Sequence, residues 1–226
     1  LASFAVDAAV WGVNPVGFHL QSLGWHLLCV GLLFRLLQGF VDRASAWMAA
    51  AVFALHPALS ESVVWISARN DLMATAFLLG MLLGLSTERP GWQRALLGWV
   101  CFFAALLSKE SSVLGVGLLI AVDWARWGQP RGWGRYAGLG VVFALWGAFR
   151  NFAGVSAVDL DVGAGLSLLA ENGDQVLGIY ARLLFWPFDL SVGRSLEYLS
   201  EPAVLTMAGL VGLGALFAFS VARGKR

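Results

Sequence analysis

Six ionisable side chains fall in two short runs set between apolar stretches. His56, Glu61, Arg69 and Asp71 make up the first, and Lys109-Glu110, between Ser108 and Ser111, the second. Charge in apolar surroundings is costly unless it is paired or used. An Arg and a Lys at one interface can clamp a phosphate or pyrophosphate, the guanidinium through a planar fork and the ammonium as a point charge. Carboxylates beside them can orient the cations or exchange protons with a hydroxyl acceptor. Arg150, closing a later apolar stretch, and His19, near the start of an earlier one, extend the set.

Each of these residues also has a plainer use. Glu61, Arg69 and Asp71 could form a solvated ion-pair network, and Lys109-Glu110 could cap two helices. His56-Pro57 could simply break one helix and open the next. His19 and His26 lie two turns apart on one helix face, where hydrogen-bonded burial is the expectation rather than a metal pair, and no third ligand stands at metal spacing. No metal or cofactor is expected. Asp123-Trp124 reads as a cap with an interfacial anchor.

The elements that must position these groups are membrane helices. Apolar residues make up 59% of the 226 residues and charged residues 13%, about half the charged share of a soluble domain. A net charge of +1 provides no basic field for nucleic acid. Cys29 and Cys101 lie in apolar stretches and read as small buried residues, not a disulfide framework. The chain opens at Leu1 with no basic leader, so no signal peptide is expected and the amino end reads as cut. Spans are expected at 17–38, 45–58, 71–86, 93–108, 111–127, 136–152 and 202–222, with 174–188 re-entrant or interfacial. The expected fold is thus an all-α polytopic bundle of about seven spans. It forms a single transmembrane domain over 1–226, with 153–201 a long extracytoplasmic segment.

Basic residues in connections favour the cytoplasm. Arg35, Arg43, Arg89, Arg94, Arg126, Arg131, Arg135 and the Arg223 to Arg226 tail mark that side. Alternation then sends His19, His56, Glu61, Arg69, Asp71, Lys109, Glu110 and Arg150 to the outer face. Trp92, Trp124, Trp127 and Trp133 near the inner ends, with Trp65 and Trp186 near the outer ends, read as interfacial belts. Abundant glycine suits close helix packing.

At these residues the chain resembles a known group. Trp11-Gly12-Val13-Asn14-Pro15-Val16-Gly17-Phe18-His19, followed by His26, resembles a motif of certain polytopic glycosyltransferases. The block from Phe53 to Leu72, with His56-Pro57, Glu61, Trp65, Arg69 and Asp71, is the most specific part. Ser108-Lys109-Glu110-Ser111, Asp123-Trp124 and Leu183 to Ser191 add weaker matches. The group is the GT-C superfamily, near the transmembrane O-mannosyltransferases that carry tetratricopeptide repeats and their bacterial relatives.

The resemblance implies transfer of a sugar, mannose being one option, from a polyprenyl-phosphate donor to a protein or glycan acceptor. Transfer would take place on the extracytoplasmic face of a bacterial inner membrane. Within it, Arg69 and Lys109 are expected to contact the donor phosphate, with Glu61 and Asp71 orienting them or meeting sugar or acceptor. His19, His56, Glu110 and Arg150 would support the site. The family's usual acid lies in a first outer loop, expected upstream of Leu1, and Asp7 does not match that motif; this chain alone is therefore expected to be inactive. Ser22 stands where the pattern has Asn. Two other classes compete. A transporter for a lipid-linked or anionic solute would place ionisable groups at the midplane and show an internal repeat. A non-catalytic scaffold would lack the acid altogether.

Overall fold

The computed structural model describes residues 2–12, 14–87 and 89–154, and singly 167, 173, 183 and 184. The chain divides into two units, Leu1–Val155 and Ser156–Arg226; the architecture below is that of the first. The expected helix at 202–222 lies outside the described residues, as does nearly all of 153–201, including the re-entrant segment 174–188.

The first unit is all-helical, with no strand among the described residues. Eight α-helices follow in order: α1 (Ala2–Trp11), α2 (Pro15–Leu37), α3 (Arg43–Leu55), α4 (Ser60–Val64), α5 (Arg69–Leu85), α6 (Trp92–Ser108), α7 (Gly115–Trp127) and α8 (Trp133–Phe152). Short 3-10 turns at Pro57–Leu59, Ile66–Ala68 and Glu110–Leu114 join α3 to α4, α4 to α5 and α6 to α7. By length and composition α2 and the segment Ile66–Leu85 suffice to cross a bilayer; α3 with Pro57–Val64, bent by 52°, makes up to a third. The other expected spans within this unit are helical too, but α6 is shorter, at 17 residues. The seventeen-residue α6 is apolar, α7 has 13 residues, and α8 is long enough at 20 residues but less apolar.

Local chemistry sets the boundaries. Pro15 opens α2 with its φ already helical, and the Val16 amide donates to the Asn14 side chain at 3.0 Å. Asp42 caps α3, accepting from the Ala44 and Ser45 amides at 2.9 and 3.0 Å and from the Ser45 hydroxyl at 2.6 Å. That hydroxyl, with the amides, holds the exposed Asp42 carboxyl below the ordinary carboxylate range. The cap's contribution is therefore complete above the unfolded carboxylate pKa and is lost as pH falls through the depressed one. Pro57 forbids helical geometry at His56, which turns extended (φ −68°, ψ 122°) and ends α3.

The core lies where α2, α5, α6, α7 and α8 meet, around Cys29, Met81, Leu85, Phe102, Leu119 and Leu139. Cys29 Sγ donates to the Leu72 carbonyl at 3.3 Å and pins α2 to α5. Cys101, half-buried, is also a free thiol. The closest helix approach joins α5 and α6. A Cβ on Gly84 would lie 2.8 Å from the Arg94 carbonyl oxygen and 2.9 Å from Gly98 Cα, backbone atoms that cannot step aside. Gly84→Ala is expected to destabilise this pair by about 1–3 kcal/mol through overpacking. Gly31→Ala, with nothing within 4 Å, serves as the neutral control in the same melting experiment in detergent.

Candidate functional site

The polar groups gather at the two ends of α5. At its carboxyl end the α7–α8 turn folds over Asp123, which is fully buried. Asp123 accepts from Arg135 Nη2 at 2.7 Å, the Tyr136 hydroxyl at 2.6 Å and the Arg131 amide at 3.1 Å. Arg135, itself buried, also donates to the carbonyls of Leu85 and Arg131. Arg126 donates to the Ser86 carbonyl at 2.6 Å, and its guanidinium lies 4.5 Å from the Phe40 ring centroid. Asp123 is thus more than a helix cap: it ties the carboxyl end of α7 to the first turn of α8 and, through Arg135, to the last carbonyl of α5. The Trp residues expected at these ends, Trp92, Trp124 and Trp133, are exposed.

The other end of α5 carries most of the residues expected to do chemistry. Asp71, in the first turn of α5, forms an ion pair with Lys109. Both side chains are open, 41% and 48% exposed. Lys109 sits in extended geometry (φ −153°, ψ 128°) where α6 stops. Serines flank this end: Ser108 Oγ donates to the Ala104 carbonyl at 2.8 Å and Ser112 Oγ to the Ala105 carbonyl at 3.0 Å, which the Lys109 amide also meets at 2.9 Å. The next residue, Glu110, pairs with Arg150 at the end of α8. Arg150 is mostly covered, its guanidinium 5.0 Å from the Trp146 ring centroid, while Glu110 is open. Four of the expected residues, from three separate stretches of chain, therefore meet as two ion pairs joined through Lys109-Glu110.

Arg69, two residues before Asp71, lies at the same end of α5 but is fully buried. It is ion-paired with Asp7 of α1, which is equally buried. It donates from Nη1 to Gln21 Oε1 at 2.7 Å, from Nη2 to the Phe18 carbonyl at 2.9 Å and from Nε to Ser22 Oγ at 3.3 Å. Its guanidinium carbon lies 4.9 and 5.8 Å from the ring centroids of Phe4 and Phe18. Arg69 thus faces α1 and α2 rather than solvent, because only partners of opposite charge and matched acceptors make a buried guanidinium tolerable. It is not part of a solvated network with Glu61 and Asp71.

The remaining expected residues stand apart. His56 is half-buried, and its Nδ1 accepts from the Ala58 amide at 3.2 Å, capping the turn that follows the break. Glu61, in the first turn of α4, and His19, on α2, are exposed. Of the two histidines on α2, His26 alone is buried; its Nε2 donates to the Ala54 carbonyl at 3.1 Å and its ring stacks on Phe53.

Asp7, Gln21 and Ser22 were not among the residues expected to act. The signals for them were an isolated acid in an apolar stretch and a serine in place of the pattern's asparagine. That serine is the one whose oxygen meets Arg69.

Comparison with known proteins bears out the resemblance. Over 132 residues the chain is 33% identical to Protein O-mannosyl-transferase TMTC2 of Mus musculus, covering 54% of this chain and 15% of that protein. Over 116 residues it is 31% identical to Protein O-mannosyl-transferase Tmtc1 of Drosophila melanogaster, covering 49% of this chain and 13% of that protein. Over 121 residues it is 24% identical to Protein O-mannosyl-transferase TMTC3 of Mus musculus, covering 51% and 13%. The chain therefore spans less than a sixth of the length of these curated relatives. No family model and no solved structure matches it. With its apolar helices and these relatives, the chain is a membrane protein.

Proposed function

We propose that this chain is the donor-handling part of a membrane glycosyltransferase that moves a sugar from a polyprenyl-phosphate carrier to a protein or glycan acceptor. The site faces the extracytoplasmic side, the periplasm in a bacterial inner membrane, within a bundle of about seven spans. The observation that carries this reading is the meeting of Asp71, Lys109, Glu110 and Arg150 at one end of the bundle. Likeness to proteins named O-mannosyl-transferases gives the reaction its class.

The roles follow from exposure. Lys109 meets the donor phosphate, because an open ion pair is worth only about 0–1 kcal/mol and yields readily to a stronger anion. Asp71 aims the ammonium when the donor is absent and is then free to meet sugar or acceptor. Arg150, backed by Trp146, supplies a second positive charge whose carboxylate partner Glu110 is open to solvent. The donor phosphate is the leaving group, so cations beside it stabilise the charge that develops as the sugar departs.

The test is transfer from a panel of radiolabelled polyprenyl-phosphate sugars, using membranes that contain the full-length protein. Label should move to a protein or glycan acceptor from at least one donor, with the mannosyl carrier the first to try. Absence of transfer from every donor overturns the reading.

A further inference from the structure

We propose that Asp7 is an internal anion occupying the place on Arg69 where a donor phosphate binds, and that α1 is the gate that carries it. This rests on the reading that a lipid-linked phosphate is handled at this end of α5.

The manner in which α1 docks is the first observation. Among its described side chains only Asp7 is buried. Val6 and Val10 are exposed, at 57% and 65%, while the Phe4 ring lies over the Arg69 guanidinium and the Trp11 ring rests against Gly17 of α2. The deepest contact of the helix is therefore the charged one, with Phe4 and Trp11 as its apolar support. A competing anion can replace such a contact, whereas nothing small replaces an apolar seam.

The second observation is an incomplete fit. Asp7 meets Arg69 through Oδ2 alone, and Oδ1 is buried with no hydrogen-bond partner. An unmet buried acceptor weakens the contact. A phosphate offers two or more oxygens to the guanidinium fork, the geometry an arginine binds best.

The third is a hinge. Gly12 follows α1 directly with φ +61°, has nothing within 4 Å of where a Cβ would stand, and precedes the cap of α2 at Asn14. A left-handed glycine in open space lets α1 turn about its junction with α2, the Trp11 ring leaving Gly17 as it does. The other acceptors of Arg69, namely Gln21, Ser22 and the Phe18 carbonyl, all belong to α2. They stay to aim the guanidinium when Asp7 leaves. Arg69 then offers its freed fork to a phosphate.

The experiment measures binding of undecaprenyl phosphate to the full-length protein in detergent. Asp7→Asn, which keeps the shape and removes the charge, should tighten binding by about tenfold, because the competent state no longer competes with an internal anion. The gain should vanish in Asp7→Asn/Arg69→Gln. If wild type binds but Asp7→Asn binds no tighter, or if the gain survives loss of Arg69, the gate is overturned and the donor reading stands. If neither protein binds, both fall. Amide hydrogen exchange on wild type covers the case in which Asp7→Asn does not fold. Undecaprenyl phosphate should speed exchange across residues 2–12, and unchanged or slower exchange there overturns the gate.

Discussion

Replacing Asp123 with Ala is expected to destabilise the first unit by about 3–5 kcal/mol, the usual cost of leaving one member of a buried ion pair without its partner. That is a large share of the roughly 5–15 kcal/mol that holds a domain folded. Three donors lose their acceptor at once: Arg135, the Tyr136 hydroxyl and the Arg131 amide. The damage spreads because Arg135 also holds the last carbonyl of α5, at Leu85. Thermal unfolding in detergent and resistance to protease should both fall sharply. Asp123→Asn, which keeps an acceptor oxygen, should lose less. Asp123→Leu combined with Arg135→Met should recover much of the loss, since exchanging both charges for apolar groups avoids the stranded cation. An Asp123→Ala protein melting within a degree of wild type would show that the knot is not what closes this end of the bundle.

The contrast between the two ends of α5 explains what could be read from the chain. The helices were legible because runs such as 71–86 and 93–108 are long and apolar and are closed by strong local signals. Pro57 forces the break after α3, and serines that bond back to the Ala104 and Ala105 carbonyls flank the end of α6. The grouping of Asp71, Lys109, Glu110 and Arg150 was legible through alternation of the spans, which needs only the order of helices. Burial was not legible. Nothing local distinguishes Arg69, sealed against Asp7 from 62 residues away, from Lys109, which stays open. Both are single cations with an acid within the next two residues, in short polar runs between apolar stretches. The difference is set by which helix lies across them, and no span was expected before residue 17. For the same reason Asp123 looked like a cap until the next helix folded over it.

That difference in burial decides which cation tests the chemistry cleanly. Arg69→Ala strands the buried carboxylate of Asp7 and undoes the docking of α1, so lost transfer would not separate a binding role from a structural one. Lys109 is half exposed, and its pairing with Asp71 adds little to stability. Lys109→Ala in the full-length protein is expected to leave membrane insertion and melting temperature unchanged while cutting transfer by about 10²–10³-fold, as when one preorganised donor to a developing anion is removed. The loss should fall on kcat more than on KM, because negative charge on the leaving phosphate is greatest in the transition state. Lys109→Arg should restore part of the rate, since the charge returns on a broader, planar group that cannot reproduce a compact ammonium. Asp71→Asn should have a smaller effect, because it removes only the group that holds Lys109 in place between turnovers. Normal turnover in Lys109→Ala would leave Arg150, mostly covered but paired with the open Glu110, as the cation to test next and would move the phosphate toward Trp146.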